Sequence, residues 1–184
     1  MKKFWYCIIL FFLFAETSFA LNGSFEFGTR RLYNDTSQLS TDLGFIGQAT
    51  LYFPTEKLNP MQKLAYLAEF DGSLFSTKTN ARVSSFQTIN ADLGFDYNFM
   101  PEKKYSIHTG LLGGFSFAPE SGATQEVGVG FNGSPFITFE MDVGLYIVFL
   151  RFQNHYYLFF GDIHTSNLND MNLNLGFKID FNVL

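Results

Sequence analysis

The chain has 184 residues, 47% hydrophobic and 19% aromatic, with 12 Lys plus Arg against 17 Asp plus Glu and a net charge of −5. An acidic balance without clustered cations argues against nucleic acid as a partner. Nothing in the composition marks a linker, a second domain or a low-complexity segment.

The first predicted element is residues 1–20, a positive start (Lys2, Lys3), an apolar run from Phe4 to Phe14, and Ser18-Phe19-Ala20 around a cleavage point. This is the layout of a secretory signal peptide, with a run too short for a good membrane-spanning helix. Cleavage is expected after Ala20, which leaves 21–184 as a single domain; an uncleaved N-terminal anchor is the alternative. Cys7 and Trp5 both lie in the leader, so the mature chain has no cysteine, and disulfides, thiol catalysis and cysteine–metal sites are excluded. It keeps 20 Phe and 8 Tyr, with 10 basic and 16 acidic side chains. Either its core is very aromatic or many rings face lipid.

From there the period is two. Strands are predicted over 22–33, 41–53, 63–75, 86–99, 105–117, 136–150, 156–164 and 171–183. In 87–99, Gln87, Ile89, Ala91, Leu93, Phe95, Tyr97 and Phe99 share one face, and Thr88, Asn90, Asp92, Gly94, Asp96 and Asn98 share the other. In 171–183 thirteen residues alternate without a fault, enough for a tilted strand to cross a bilayer core, which takes about 9 to 11. The sixth and seventh strands run together in "LYIVFLRFQNHYYLFF", where the turn is placed at Arg151 to His155. Compact turns at 54–62, 100–104 and 151–155 alternate with polar loops at 34–40, 76–85, 118–135 and 165–170. That is the layout of an all-β, eight-stranded antiparallel up-and-down transmembrane β-barrel.

A soluble lipocalin-like binding barrel also shows eight alternating strands, but with the apolar set inside. The polar set here is rich in Gly, Asn, Ser and Thr with paired charges, which suits a narrow packed lumen. Tyr52, Phe53, Tyr97, Phe99, Tyr105, Phe152, Tyr156, Tyr157 and Phe181 fall near the short-turn end, as an interfacial girdle requires. Eight strands leave room only for side chains, so no wide pore is expected.

The last strand carries "NLGFKIDF", Asn174 to Phe181: a polar residue, Gly two later, then alternating apolar residues ending in an aromatic. It resembles the assembly signal of Gram-negative outer-membrane barrels, although Asn182-Val183-Leu184 overhang the aromatic. The whole mature chain is similar in architecture to small eight-stranded outer-membrane proteins. That resemblance implies the bacterial outer membrane as location, with its lipids and lipopolysaccharide and the barrel-assembly machinery as partners. It also implies an envelope-structural or surface-binding role through the outer loops, for a ligand the sequence does not identify.

The expected lumen face is acidic: Asp42, Glu69, Asp71, Asp92, Asp96, Glu140, Asp142 and Asp180 compete for Lys178, and for His108 and Arg30 where those turn inward. Some of these carboxylates must hold protons, bind water or lie near the ends. A cation site is the functional alternative, but no calcium-type loop spacing appears, and no cofactor is implied. Glu140 and Asp142, at i and i+2, are a weak acid/base signal. "GVGFNG" lacks the helix a phosphate loop needs.

"DIHTSNLND", 162–170, has a base two residues from a hydroxyl. With Ile163, the His164-x-Ser166-Asn167 pattern at the end of the seventh predicted strand resembles the outer-membrane lipid A 3-O-deacylases, and "FEMDVG" (139–144) does so too. The resemblance implies an ester hydrolase with His164 as base, Ser166 as nucleophile, and Asn167 as an oxyanion or structural group. The chain departs from that family at Leu168-Asn169, where Ala and Gly are usual. It also has no Glu after Glu140, so Asp162 or Asp170 would have to orient His164. An outward His164 and Ser166 would turn Asp162 outward too.

Overall fold

The computed structural model describes residues 22–33, 40–41, 44–54, 64–79, 82–100, 104–119, 127–144, 146–160 and 167–180. They form β1 (Asn22–Tyr33), β2 (Ser40–Thr41), β3 (Gly44–Pro54), β4 (Leu64–Thr79), β5 (Arg82–Asn98), β6 (Tyr105–Ala118), β7 (Gly128–Asp142), β8 (Ile147–Phe160) and β9 (Asn167–Asp180). The two-residue β2 adds only a short pairing to β4. The eight long strands pair antiparallel in the order β4-β3-β1-β9-β8-β7-β6-β5, and β4 pairs with β5 to close the sheet. Closure leaves no open edge in the ring, which strands need where no water reaches the backbone.

The alternation sorts the side chains as a membrane barrel requires. On β9, Met171, Leu173, Leu175 and Phe177 are exposed on the outside, while Asn172, Asn174, Gly176 and Lys178 are buried within. On β5, Ile89, Leu93, Phe95 and Tyr97 point out; Thr88, Asn90, Asp92 and Asp96 point in. Phe27, Phe45 and Leu93 are 69%, 71% and 70% exposed. The soluble alternative needs the apolar set inside, and the observed polarity is the reverse. Inside, a small apolar plug of Tyr52, Leu67, Leu112 and Phe136 fills part of the lumen. Gly176 makes room beside it, since a Cβ there would stand 2.5 Å from the Phe149 ring and 2.8 Å from Glu26.

The turn placed at Arg151 to His155 is overturned: β8 runs unbroken from Ile147 to Phe160. Arg151, Gln153 and His155 are alternate residues that enter the lumen, so their charge marks an interior and not a turn. The chain reverses instead at Val143–Tyr146. There Gly144 takes φ +105° and donates its N–H to Asp142 Oδ1 at 2.7 Å, while Val143 N–H donates to Tyr146 O at 3.1 Å. Asp142 is therefore an exposed turn residue and not part of the lumen face.

Both neighbouring strands shift with the turn, so the strand total is unchanged. Much of "GVGFNGSP", read as loop, is the upper half of β7. The expected loop at 76–85 is mostly strand, paired as far as Thr79↔Arg82. The girdle is corrected as well. Tyr97, Phe99 and Tyr105 do point outward at the short-turn end, but Tyr52 and Tyr157 are buried in the lumen, and Phe152 and Tyr156 lie further along β8. Phe181 lies outside the described residues.

Candidate functional site

Among the described residues, seven carboxylates (Glu26, Glu69, Asp71, Asp92, Asp96, Glu140, Asp170) are buried with three fixed cations, Arg30, Arg151 and Lys178, and with His108 and His155. An unpaired buried charge costs several kcal/mol, so the arrangement of partners decides whether such a lumen is stable. Three layers stack from the end that carries Asn22 and Asp180 to the opposite one.

In the first layer Lys178 pairs with Glu140 at 2.5 Å, and its Nζ lies 4.1 Å from the centre of the Tyr52 ring. His108 sits between Asp96, at 2.8 Å from Nδ1, and Glu140, at 3.1 Å from Nε2. In the middle layer Arg151 contacts Glu26 at 2.8 Å and Glu69 at 3.0 Å, and donates to Tyr52 Oη at 2.5 Å and Thr138 Oγ1 at 3.1 Å. Its guanidinium also lies over Phe136 and Phe149, 4.8 and 5.4 Å from their centroids. Gln153 and Thr50 donate to Glu69 at 2.9 and 3.2 Å. In the far layer Arg30 pairs with Asp170 at 2.8 Å and also donates to His155 Nδ1 and Tyr157 Oη. Asn90 donates to Asp71 at 2.9 Å, and Asn132 donates to Asp92 and Ser116 at 2.9 Å each.

The expected inward residues Lys178, His108, Arg30, Glu69, Asp71, Asp92, Asp96 and Glu140 are all in this network. Asp42 and the side chain of Asp180 lie outside the described residues. Sequence reasoning missed Glu26, Arg151, His155 and Asp170. The alternation Phe25-Glu26-Phe27 was a usable sign for the first, the misplaced turn concealed the next two, and Asp170 was read into the loop at 165–170, whereas β9 already begins at Asn167.

Two groupings imitate reactive sites. Ser106 Oγ lies 2.9 Å from His108 Nε2, and Nδ1 lies 2.8 Å from Asp96, which is the order nucleophile, base, carboxylate. Glu140 faces the same Nε2, so both ring nitrogens meet carboxylates and each is best served by an N–H; such a ring has no lone pair to accept the Ser106 proton. Glu69, Asp71 and His155 bring three ligand-type atoms within 4.8 Å of one another. A cation there would compete with Arg151 and Arg30 for the same carboxylates. Both groupings are explained as parts of a charge-paired packed interior.

His164 and Ser166 lie outside the described residues, as do Asp162 and Ile163. Asn167 is the first residue of β9, paired with Leu158. Asp170, one of the two carboxylates that could orient His164, is fully buried in the lumen on Arg30.

The class this geometry defines is the closed, eight-stranded antiparallel barrel with a packed polar lumen and an apolar exterior, as small outer-membrane barrels have. No protein-family model matches the chain, and no curated protein matches it in sequence. Among solved structures it is similar to Neisserial surface protein A (NspA), with a TM-score of 0.64 and 12% identity over 88% of this chain and 97% of that one. It is also similar to Ail, the attachment invasion locus protein of Yersinia pestis, with a TM-score of 0.53 and 10% identity over 89% and 100%. The outer membrane enzyme PagL overlays at a TM-score of 0.48 and 12% identity over 87% and 99%, too loose a likeness to carry any residue role across.

Proposed function

We propose that this protein is an outer-membrane barrel of a Gram-negative-type envelope, delivered by a signal peptide over 1–20 and assembled from 21–184 through its last strand. Its role is structural or surface-binding, exercised at the end away from Asn22 and Asp180. The observation that carries this reading is the inverted polarity of a closed barrel, with charges inside and Phe and Leu outside. A surface of that kind would aggregate in water and is satisfied by lipid. The test is fractionation of cells that express the full chain. The protein should extract with detergent from the outer membrane and migrate faster on gels before boiling than after. Recovery in the soluble periplasm would contradict the reading.

A second reading is a lipid A-type ester hydrolase with His164 as base, Ser166 as nucleophile and Asn167 beside them. One feature favours it: β8 ends at Phe160 and β9 begins at Asn167 at the end opposite Asn22 and Asp180, the end that meets the outer leaflet if the barrel is oriented as proposed, and the motif falls between them in sequence. Mass spectrometry of lipid A from cells with and without the gene tests it. A lost ester-linked acyl chain supports the hydrolase, and unchanged chains remove it.

A further inference from the structure

Six of the seven buried carboxylates touch a basic side chain. Lys178 meets Glu140, His108 meets Asp96, Arg151 meets Glu26 and Glu69, and Arg30 meets Asp170 and Asp71. Asp92 is the seventh: it is 3% exposed, and it makes no ion pair among the described residues. Asn132 Nδ2 donates to its Oδ1 at 2.9 Å. Register sets Glu69 beside it on β4 and Gly114 beside it on β6, a like charge on one flank and no side chain on the other. A Cβ at position 114 would stand 2.4 Å from Asp92 Oδ1.

The atoms left over around this carboxylate are acceptors. Asp92 Oδ2, Asn90 Oδ1 and Asn132 Oδ1 are shut off from solvent and lack a hydrogen-bond partner among the described residues. Asn90 uses its Nδ2 on Asp71 and Tyr157, and Asn132 uses its Nδ2 on Asp92 and Ser116, so the amide donors are taken and the oxygens remain. One inward position along β7 from Asn132, the buried Ser134 Oγ has no partner either. A buried charge without a counter-charge is costly, and so is a buried acceptor without a donor. A proton would satisfy Asp92 Oδ2 alone, and water would meet the oxygens without neutralising the charge. A cation does both.

We propose that Asp92 anchors a calcium site in the lumen wall across β5, β6 and β7, whichever surface role the barrel plays. Asp92 Oδ2 supplies the charge. The neutral oxygens come from the amides of Asn90, the next inward residue of β5, and Asn132, one hydrogen bond away, with water completing the shell. Oxygen donors alone select a hard cation, and calcium accepts irregular sets of carboxylate and amide oxygens where magnesium holds to a near-ideal octahedron. A single carboxylate among neutral ligands gives a Kd of about 0.1–1 mM, the range of extracellular calcium modules. Ala118 and Gly128, the paired ends of β6 and β7, lie two inward positions beyond Gly114 and Asn132, so the ion enters from the end away from Asn22 and Asp180. Asn132, 8% exposed, is on that path.

The test adds calcium alone to the chain refolded in detergent micelles free of lipopolysaccharide. Isothermal titration reads binding, and the temperature at which the folded, heat-modifiable band is lost reads stability. Wild type should bind a single calcium at about 0.1–1 mM and melt higher in calcium than in a chelator. Asp92→Asn keeps an oxygen for Asn132 and leaves no charge to compensate, so it should fold. It should bind about tenfold more weakly or not at all, and melt at the same temperature with or without calcium. Asn132→Asp adds a second carboxylate and should bind about tenfold more tightly, a gain that a packing role alone does not give. Asp142→Asn, at the exposed turn of the opposite end, should bind as wild type does. Absence of binding by wild type overturns the site and leaves Asp92 to a proton or to water. Binding that Asp92→Asn leaves unchanged also overturns it, and gives the calcium to carboxylates elsewhere.

Discussion

Arg151 ties together the middle of the lumen: two carboxylates, a phenol, a threonine and two aromatic rings. Replacing it with methionine keeps bulk but strands Glu26 and Glu69, and removing one partner of a buried ion pair costs about 3–5 kcal/mol. Urea unfolding in detergent micelles, read by gel mobility, should show that loss for Arg151→Met. Adding Glu26→Gln and Glu69→Gln should recover most of it, because neutral amides do not need a counter-charge. At this scale the sequence was informative wherever alternation was clean. Lys178 lies between Phe177 and Ile179, and Glu26 between Phe25 and Phe27, so parity alone assigns both inward. Asp170 was harder, since only the start of β9 at Asn167 shows that it belongs to a strand and lies inside. The candidate pair His164 and Ser166 was legible only as a motif, because parity is undefined until a strand end is known.

At the scale of elements, β8 shows why polar residues mislead in this class of protein. Leu150, Phe152, Asn154, Tyr156 and Leu158 face out while Arg151, Gln153, His155 and Tyr157 face in. In water-soluble proteins a charged cluster between apolar runs marks a turn; in a barrel with a charged lumen it is the normal inward set of a strand. A six-residue Gly/Ser insertion separates the two placements. Between Gly144 and Leu145 the folded, heat-modifiable form should persist, whereas between Gln153 and Asn154 it should be lost. Gly144→Ala should cost about 1–2 kcal/mol, since φ +105° is a backbone region that L side chains rarely adopt. Both outcomes are read by the same gel assay. The strands at 22–33 and 105–117 were legible almost to the residue because turn chemistry and alternation agreed there, whereas the one expected at 86–99 begins four residues earlier, at Arg82, in residues read as a polar loop.

At the scale of the whole molecule the barrel is a filled cylinder. The apolar plug and the three charge-paired layers occupy the lumen of the described strands, so a planar bilayer holding the purified chain should carry no steady ion current. Persistent channel-like steps would contradict the packed lumen. Whether apolar faces meet lipid and charged faces meet each other is read most directly by brominated-lipid quenching. The chain's one cysteine, Cys7, falls in the predicted leader, so single cysteines at Leu173 and Asn172 can each carry a fluorophore in turn. Strong quenching is expected from Leu173, which is exposed outward, and little from Asn172, which is 1% exposed inside. Equal quenching at both positions, or stronger quenching at Asn172, would contradict this arrangement.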